Sequence, residues 1–97
     1  MEVKIGDIFR ASWGYEQTNI DYYVVVGVTP KMVRLQECGK RCVEDTSWAS
    51  DVVVPDPSTR LGDPFLRRVV AGAVRIDKVA TAVKCSPEDR AHRSWWH

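Results

Sequence analysis

The stretch that most constrains the fold is "DYYVVVGVT", Asp21 to Thr29. Tyrosine and valine crowd χ1 in a helix but sit well on a pleated surface, so the run reads as a strand. Tyr22, Val24, Val26 and Val28 share one face of it, and Tyr23, Val25 and Gly27 share the other. Both faces are therefore apolar, as in a central strand with a layer on each side. Val26, mid-strand among apolar neighbours, is expected to be buried.

The flanking sequence supplies further strands. "VKIGDIF" alternates around a Gly-Asp pair and reads as an entry turn into a first strand, Asp7 to Trp13. Pro30 breaks the central run, and "KMVRLQE" resumes alternation with Val33 and Leu35 inward and Arg34 and Gln36 outward. "ECGKRCV" predicts a hairpin turn at Gly39 leading into a short strand near Arg41 to Val43. "DVVVP" (Asp51 to Pro55) is a short apolar run stopped by proline, and "PDPSTRLGDP" (Pro55 to Pro64) reads as a flexible loop. In "FLRRVVAGAVRIDKVATAVKC", Ala71-Gly72 suits a turn between strands Phe65 to Val70 and Ala73 to Asp77. Ile76, Val79, Ala80 and Val83 also recur at helical spacing, but the β-branched residues of "VVAGAVRI" favour strands. "SPEDRAHR" carries a helix-start pattern, with Ser86 as N-cap, Pro87 at the first helical position and Glu88 and Asp89 in the first turn.

Six or seven short strands and one C-terminal helical turn predict a mainly β fold, a small curled antiparallel barrel of the Src-homology-3-like type. The 97 residues, 44% of them hydrophobic, suffice for one domain with one modest core. "MEVKIGD" lacks an apolar stretch of signal-peptide length, and "YYVVVGV" is far too short to span a membrane. The expectation is a cytoplasmic protein with no membrane partner. An odd count of three cysteines fits a reducing compartment.

Net charge is +1, but unevenly placed. Residues 1 to 59 hold six Lys/Arg against nine Asp/Glu, and residues 60 to 97 hold eight against four. If the C-terminal half forms one face, that face is a basic patch suited to phosphates or an acidic partner; interleaved halves would cancel.

The block "GDIFRASWGYEQTNIDYYVVVGV" resembles one found in small uncharacterised proteins of bacteriophages, prophages and other mobile elements. The shared pattern is Gly-Asp-Ile, then Ser-Trp-Gly-Tyr-acid-Gln-Thr-Asn, then Asp-aromatic-Tyr. It covers Gly6 to Val28, with fainter similarity through "SWASDVVVP" and "PFLRRV". That family closes through a Trp-Asp-Gly motif into an aromatic-rich segment, whereas "KCSPEDRAHRSWWH" keeps only the aromatic end. The resemblance implies an accessory gene product acting inside a bacterial cell.

Candidate site residues cluster first in "SWGYEQTN". In an extended segment Tyr15, Gln17 and Asn19 project from one side, offering a ring for stacking and two amides that donate and accept, the means by which proteins read a base edge. Trp13 borders that loop, and reads foremost as core material because large rings are scarce in a chain this small. Arg67 and Arg68 fall on opposite faces of their strand, so at most one can meet a given phosphate. Trp95 and Trp96 are adjacent and terminal, and an exposed one would anchor a protein contact. Cys38, Cys42 and Cys85 with His92 or His97 could be assembled around zinc, but Cys-x₃-Cys is not a paired zinc knuckle, and neither metal nor cofactor is expected. No cysteine is predicted to have a histidine within reach, so catalysis is not expected. The sequence thus predicts a non-catalytic module that binds a nucleotide or nucleic acid, with a protein decoy acting on a host enzyme, as in counter-defence, as the alternative.

Overall fold

A computed structural model describes residues 3–14, 18–47, 50–77, 80–86 and 88–94, with the side chains of 45–47 and 92–94 outside the description. Among these residues every regular element is a strand. They are β1 (Ile8–Trp13), β2 (Asn19–Val28), β3 (Met32–Ser47), β4 (Ser50–Val70), β5 (Ala73–Arg75), β6 (Thr81–Cys85) and β7 (Ala91–Ser94). Six of them close a ring in the order β3-β2-β1-β6-β5-β4 and back to β3, all antiparallel, and β7 pairs with β4 outside the ring. The chain is a small curled antiparallel barrel.

β2 is central, hydrogen-bonded to β1 and β3, and its two apolar faces serve two cores. Tyr23 and Val25 point into the ring, where Phe9, Val33, Leu35 and Val74 meet them. Tyr22 and Val24 point out of it and join Ile8, Ile20, Cys38, Val53 and Ala91. The outer core exists because β3 outruns its pairing with β2, which ends at Tyr22 opposite Cys38, and continues only with β4 as far as Ser47 opposite Ser50. Val53 from that arm and Ala91 from β7 cover the outer face of β1 and β2. Val26 sits where the β2–β3 register shifts and is only half-buried, whereas Val25 is 1% exposed.

β3 and β4 correct several sequence expectations. Gly39 makes no hairpin turn, and Pro55 does not stop a strand: β3 passes straight through the first and β4 through the second. Pro55 to Pro64 is not a loop that leaves the sheet. It lies within β4 as two irregularities, since the register steps from Leu35–Phe65 to Glu37–Leu61 and from Cys38–Arg60 to Gly39–Asp56. Extra residues on one strand bend and twist it, which lets a single long hairpin close the ring and still fold over the outer core. The bulges are held by their own bonds. Ser58 Oγ and Thr59 Oγ1 donate to the Asp56 carboxylate at 2.7 and 3.0 Å, holding its pKa low, and Arg60 Nε donates to the Pro57 carbonyl at 2.7 Å.

Glycine at 39 answers to contact rather than to turn geometry. A Cβ there would lie 3.0 Å from Thr59 Cβ and 3.1 Å from its Cγ2. Gly39→Ala is therefore expected to destabilise by roughly 1–3 kcal/mol through overpacking. Adding Thr59→Gly should recover most of that loss in a double-mutant cycle read by chemical denaturation; additive losses would show that the two residues do not touch.

The Ala71–Gly72 turn forms as expected, with φ of 51° and 78° and Val70 paired with Ala73. Of the C-terminal helical turn, with Pro87 outside the described residues, one hydrogen-bonded turn is present: Ser86 Oγ accepts from the Glu88 N–H and its carbonyl from the Asp89 N–H, and no helix follows among the described residues. Asp89 then binds elsewhere: its carboxylate accepts two bonds from Arg10 Nη1 at 2.9 and 3.1 Å and one from the Tyr22 hydroxyl at 3.2 Å. With Asp89 pinned over the outer core, the chain enters β7 instead of a helix.

Candidate functional site

At the β1–β2 end, Trp13 and Asn19 are register partners. Trp13 is not core: it is 38% exposed, one step past the buried Ala11, and its indole Nε1 donates to Asp21 Oδ2 at 2.7 Å. Asp21 also receives Lys40 Nζ at 3.2 Å. Asn19 Nδ2 is buried without a hydrogen-bond partner. Tyr15 and Gln17 lie outside the described residues, as do Trp95, Trp96 and His97. Carboxylates dominate this end. Burial and then the Asp21 charge raise the Glu37 pKa, and the Tyr23 hydroxyl is raised by burial first and then by Asp21, Glu37 and Asp77, with Arg67 opposing. An anion approaching here meets like charge. For a rim tryptophan held by one hydrogen bond, Trp13→Ala is expected to cost about 1–2 kcal/mol, less than the ~3–5 kcal/mol of a core ring, as read by thermal unfolding.

Arg67 and Arg68 do face opposite ways. Arg67 turns inward, its guanidinium 4.6 Å from the Phe65 ring centroid, with Nε donating to the Ile76 carbonyl and Nη1 to the Leu66 carbonyl. Arg68 is exposed and has no hydrogen-bond or ion-pair partner among the described residues. Trp13 and Asn19 stand at the start of β2, whereas Arg68 shares a groove with Val28 and Thr29 at its finish. Around the ring through β5 and β6, where the registers continued set Arg68, Arg75, Thr81 and Ser12 in line, the two lie three strand spacings apart, roughly 15 Å at about 4.8 Å each. The structure does not bring the hairpin residues and Arg68 together.

Arg68 does have company. The outward row of β3 to β6 carries Arg34, Leu66, Arg68, Val70, Arg75, Thr81 and Val83, all exposed. Arg34 pairs with Leu66, Met32 with Arg68, and Arg75 with Thr81. The two-residue turn sets Val70 against Ala73 and Val69 against Val74, and continuing that register sets Arg68 against Arg75. Two grooves meet at Arg68. One, of about 830 Å³, is bounded by Val3, Val28, Lys31, Met32 and the Ala71–Gly72 turn; the other, of about 340 Å³, by Val70, Ala73, Arg75 and Thr81. Among the described residues neither has a carboxylate in its wall. The basic C-terminal half thus contributes two of the three arginines of one face.

Arg75 and Thr81 were not singled out by the sequence, and Arg34 only as outward-facing. A signal was present, since a two-residue Ala-Gly hairpin fixes which residues oppose each other.

The thiols lie apart in character. Cys38 is buried, Cys42 is exposed on β3, and Cys85 is half-buried with its pKa pushed up to about 12, first by burial and then by Asp89. Among the described residues no group of three His, Cys, Asp or Glu side chains is placed to hold a metal. No helix among them is long and apolar enough to cross a membrane. No family model, curated protein or solved structure matches the chain.

Proposed function

We propose that the chain is a non-catalytic binding module for nucleic acid or nucleotide, of the kind carried by phages and other mobile elements, and that its ligand lies on the outer face of β3 to β6. One observation carries the reading: Arg34, Arg68 and Arg75 stand exposed on one sheet face, separated by apolar side chains, and among the described residues no acid lines the two grooves that meet at Arg68. Guanidinium groups are the preferred partners of phosphate oxygens, and the apolar residues between them suit sugar and base edges. The Gly6 to Val28 block supports the mobile-element context. A net charge of +1 argues for a short footprint rather than a long duplex track.

A second reading uses the same surface. Leu66, Val70 and Val83 are 40, 62 and 43% exposed, as a protein partner such as a host enzyme would require of a decoy. Fluorescence anisotropy with labelled single-stranded and duplex oligonucleotides and nucleotides separates the two. The nucleic-acid reading expects micromolar or tighter binding at low salt by at least one of these. If none binds, the decoy reading takes over.

A further inference from the structure

We propose that Arg68, Arg75 and Thr81 form a discrete site for one phosphomonoester group, such as a nucleotide phosphate or a 5′-phosphorylated end. This rests on the nucleic-acid reading above and makes it more specific.

The β4–β5 hairpin turns over two residues, and its register, Val70 with Ala73 and Val69 with Val74, continued by one residue sets Arg68 opposite Arg75 on the same outer face. Like charges placed across an antiparallel pair repel, and strands ordinarily avoid them. Among the described residues the 340 Å³ groove is walled by Arg68, Val70, Ala73, Arg75 and Thr81, none of them an acid. Arg75 Nε is occupied by the Asp77 carbonyl at 3.3 Å, which orients the guanidinium and leaves its terminal nitrogens to point elsewhere. Arg68 has no protein partner among the described residues. Thr81, paired with Arg75 and exposed, adds a hydroxyl at the end of the row.

Two guanidiniums and a hydroxyl match the charge and the oxygens of a phosphate. The number of charges decides which kind. A phosphodiester carries one negative charge and leaves one guanidinium uncompensated, whereas a phosphomonoester near neutral pH carries about −1.5 to −2 and three free oxygens. The small groove, with Val70 and Ala73 in its wall, has room for such a group. Arg34, two residues along the sheet from this row, then meets the rest of the ligand.

The test compares one short single-stranded oligonucleotide bearing a 5′-phosphate with the same oligonucleotide ending in a 5′-hydroxyl, both on the full chain by anisotropy. The 5′-phosphate is expected to bind roughly tenfold tighter, as an added charge-assisted contact implies. That advantage should vanish in Arg68→Ala and Arg75→Ala, shrink in Thr81→Val and survive in Arg34→Ala. It should also fall as pH drops through about 6, where the monoester gains a proton. Unchanged unfolding temperatures identify the variants that remain folded, and the wild-type comparison stands without them. Equal affinity for the two oligonucleotides overturns the site while leaving the nucleic-acid reading intact. If neither oligonucleotide binds but inorganic phosphate shifts the backbone amide resonances of Arg68, Arg75 and Thr81, the anion site stands and the nucleic-acid reading fails. If phosphate moves none of them either, both fall.

Discussion

Val25→Asp is expected to leave no cooperatively folded protein. The side chain is 1% exposed inside the ring, packed in the core with Phe9, Tyr23, Val33 and Leu35. Its backbone also joins the entry turn to the barrel, since the Val25 carbonyl accepts from the Gly6 N–H at 2.8 Å and its N–H donates to the Asp7 carbonyl at 2.9 Å. A carboxylate there has neither room nor partner, and burying it costs several kcal/mol, comparable to the ~5–15 kcal/mol that holds a domain together. The adjacent Val26→Asp should be milder, because Val26 sits at the register shift, half-buried at the edge of the outer core. Denaturation of the two variants side by side checks the assignment. Equal damage at both positions would mean that the inner and outer faces of β2 are not distinguished as described.

The second large effect is on binding. The triple variant Arg34→Ala, Arg68→Ala, Arg75→Ala removes the three arginines of the proposed row without touching either core. If each contributes one phosphate contact at about 1–1.4 kcal/mol, affinity for the best oligonucleotide should drop by roughly two to three orders of magnitude. Salt dependence provides a second reading of the same contacts. Two neutralised phosphates, one shared by Arg68 and Arg75 and one at Arg34, give a slope of about −1.4 in log affinity against log salt on a single strand, and on a duplex about −1.8, or roughly 12-fold between 50 and 200 mM. Both the slope and the affinity should collapse together in the variant. Loss of affinity with an unchanged slope would point to charges elsewhere on the molecule.

The parts of the fold legible in the sequence are those governed by local chemistry. The tyrosines and valines of β2 announce a strand buried on both sides, and Ala71–Gly72 announces its hairpin because two successive positive-φ residues suit a two-residue turn. The long β3–β4 hairpin was not legible, because its breaks in pattern have non-local causes. Gly39 looks like a turn residue but is small because Thr59 approaches it from another strand. Pro57 and Pro64 look like strand breakers but lie in the stretches of β4 where the register shifts, so their missing N–H costs the ladder little. Ser86 has the chemistry of a helix cap, yet Arg10 and Tyr22, distant in sequence, claim Asp89. Of the candidate site, Arg68 and the basic bias of the C-terminal half were legible; its meeting with Arg34 depends on ring closure between β3 and β4. Trp13 was misplaced because size alone suggests a core ring, while its indole N–H is committed to a rim carboxylate.

The central claim is where the ligand lies, and amide chemical shifts recorded during an oligonucleotide titration of isotope-labelled protein test it most directly. Binding on the outer sheet face should move the resonances of Arg34, Arg68 and Arg75 and leave those of Asn19 and Asp21, separated from Arg68 by β5, β6 and β1 (roughly 20 Å at about 4.8 Å per strand), in place. Shifts confined to Trp13, Asn19 and Asp21, with the arginine row unmoved, would contradict the account and return the site to the β1–β2 hairpin.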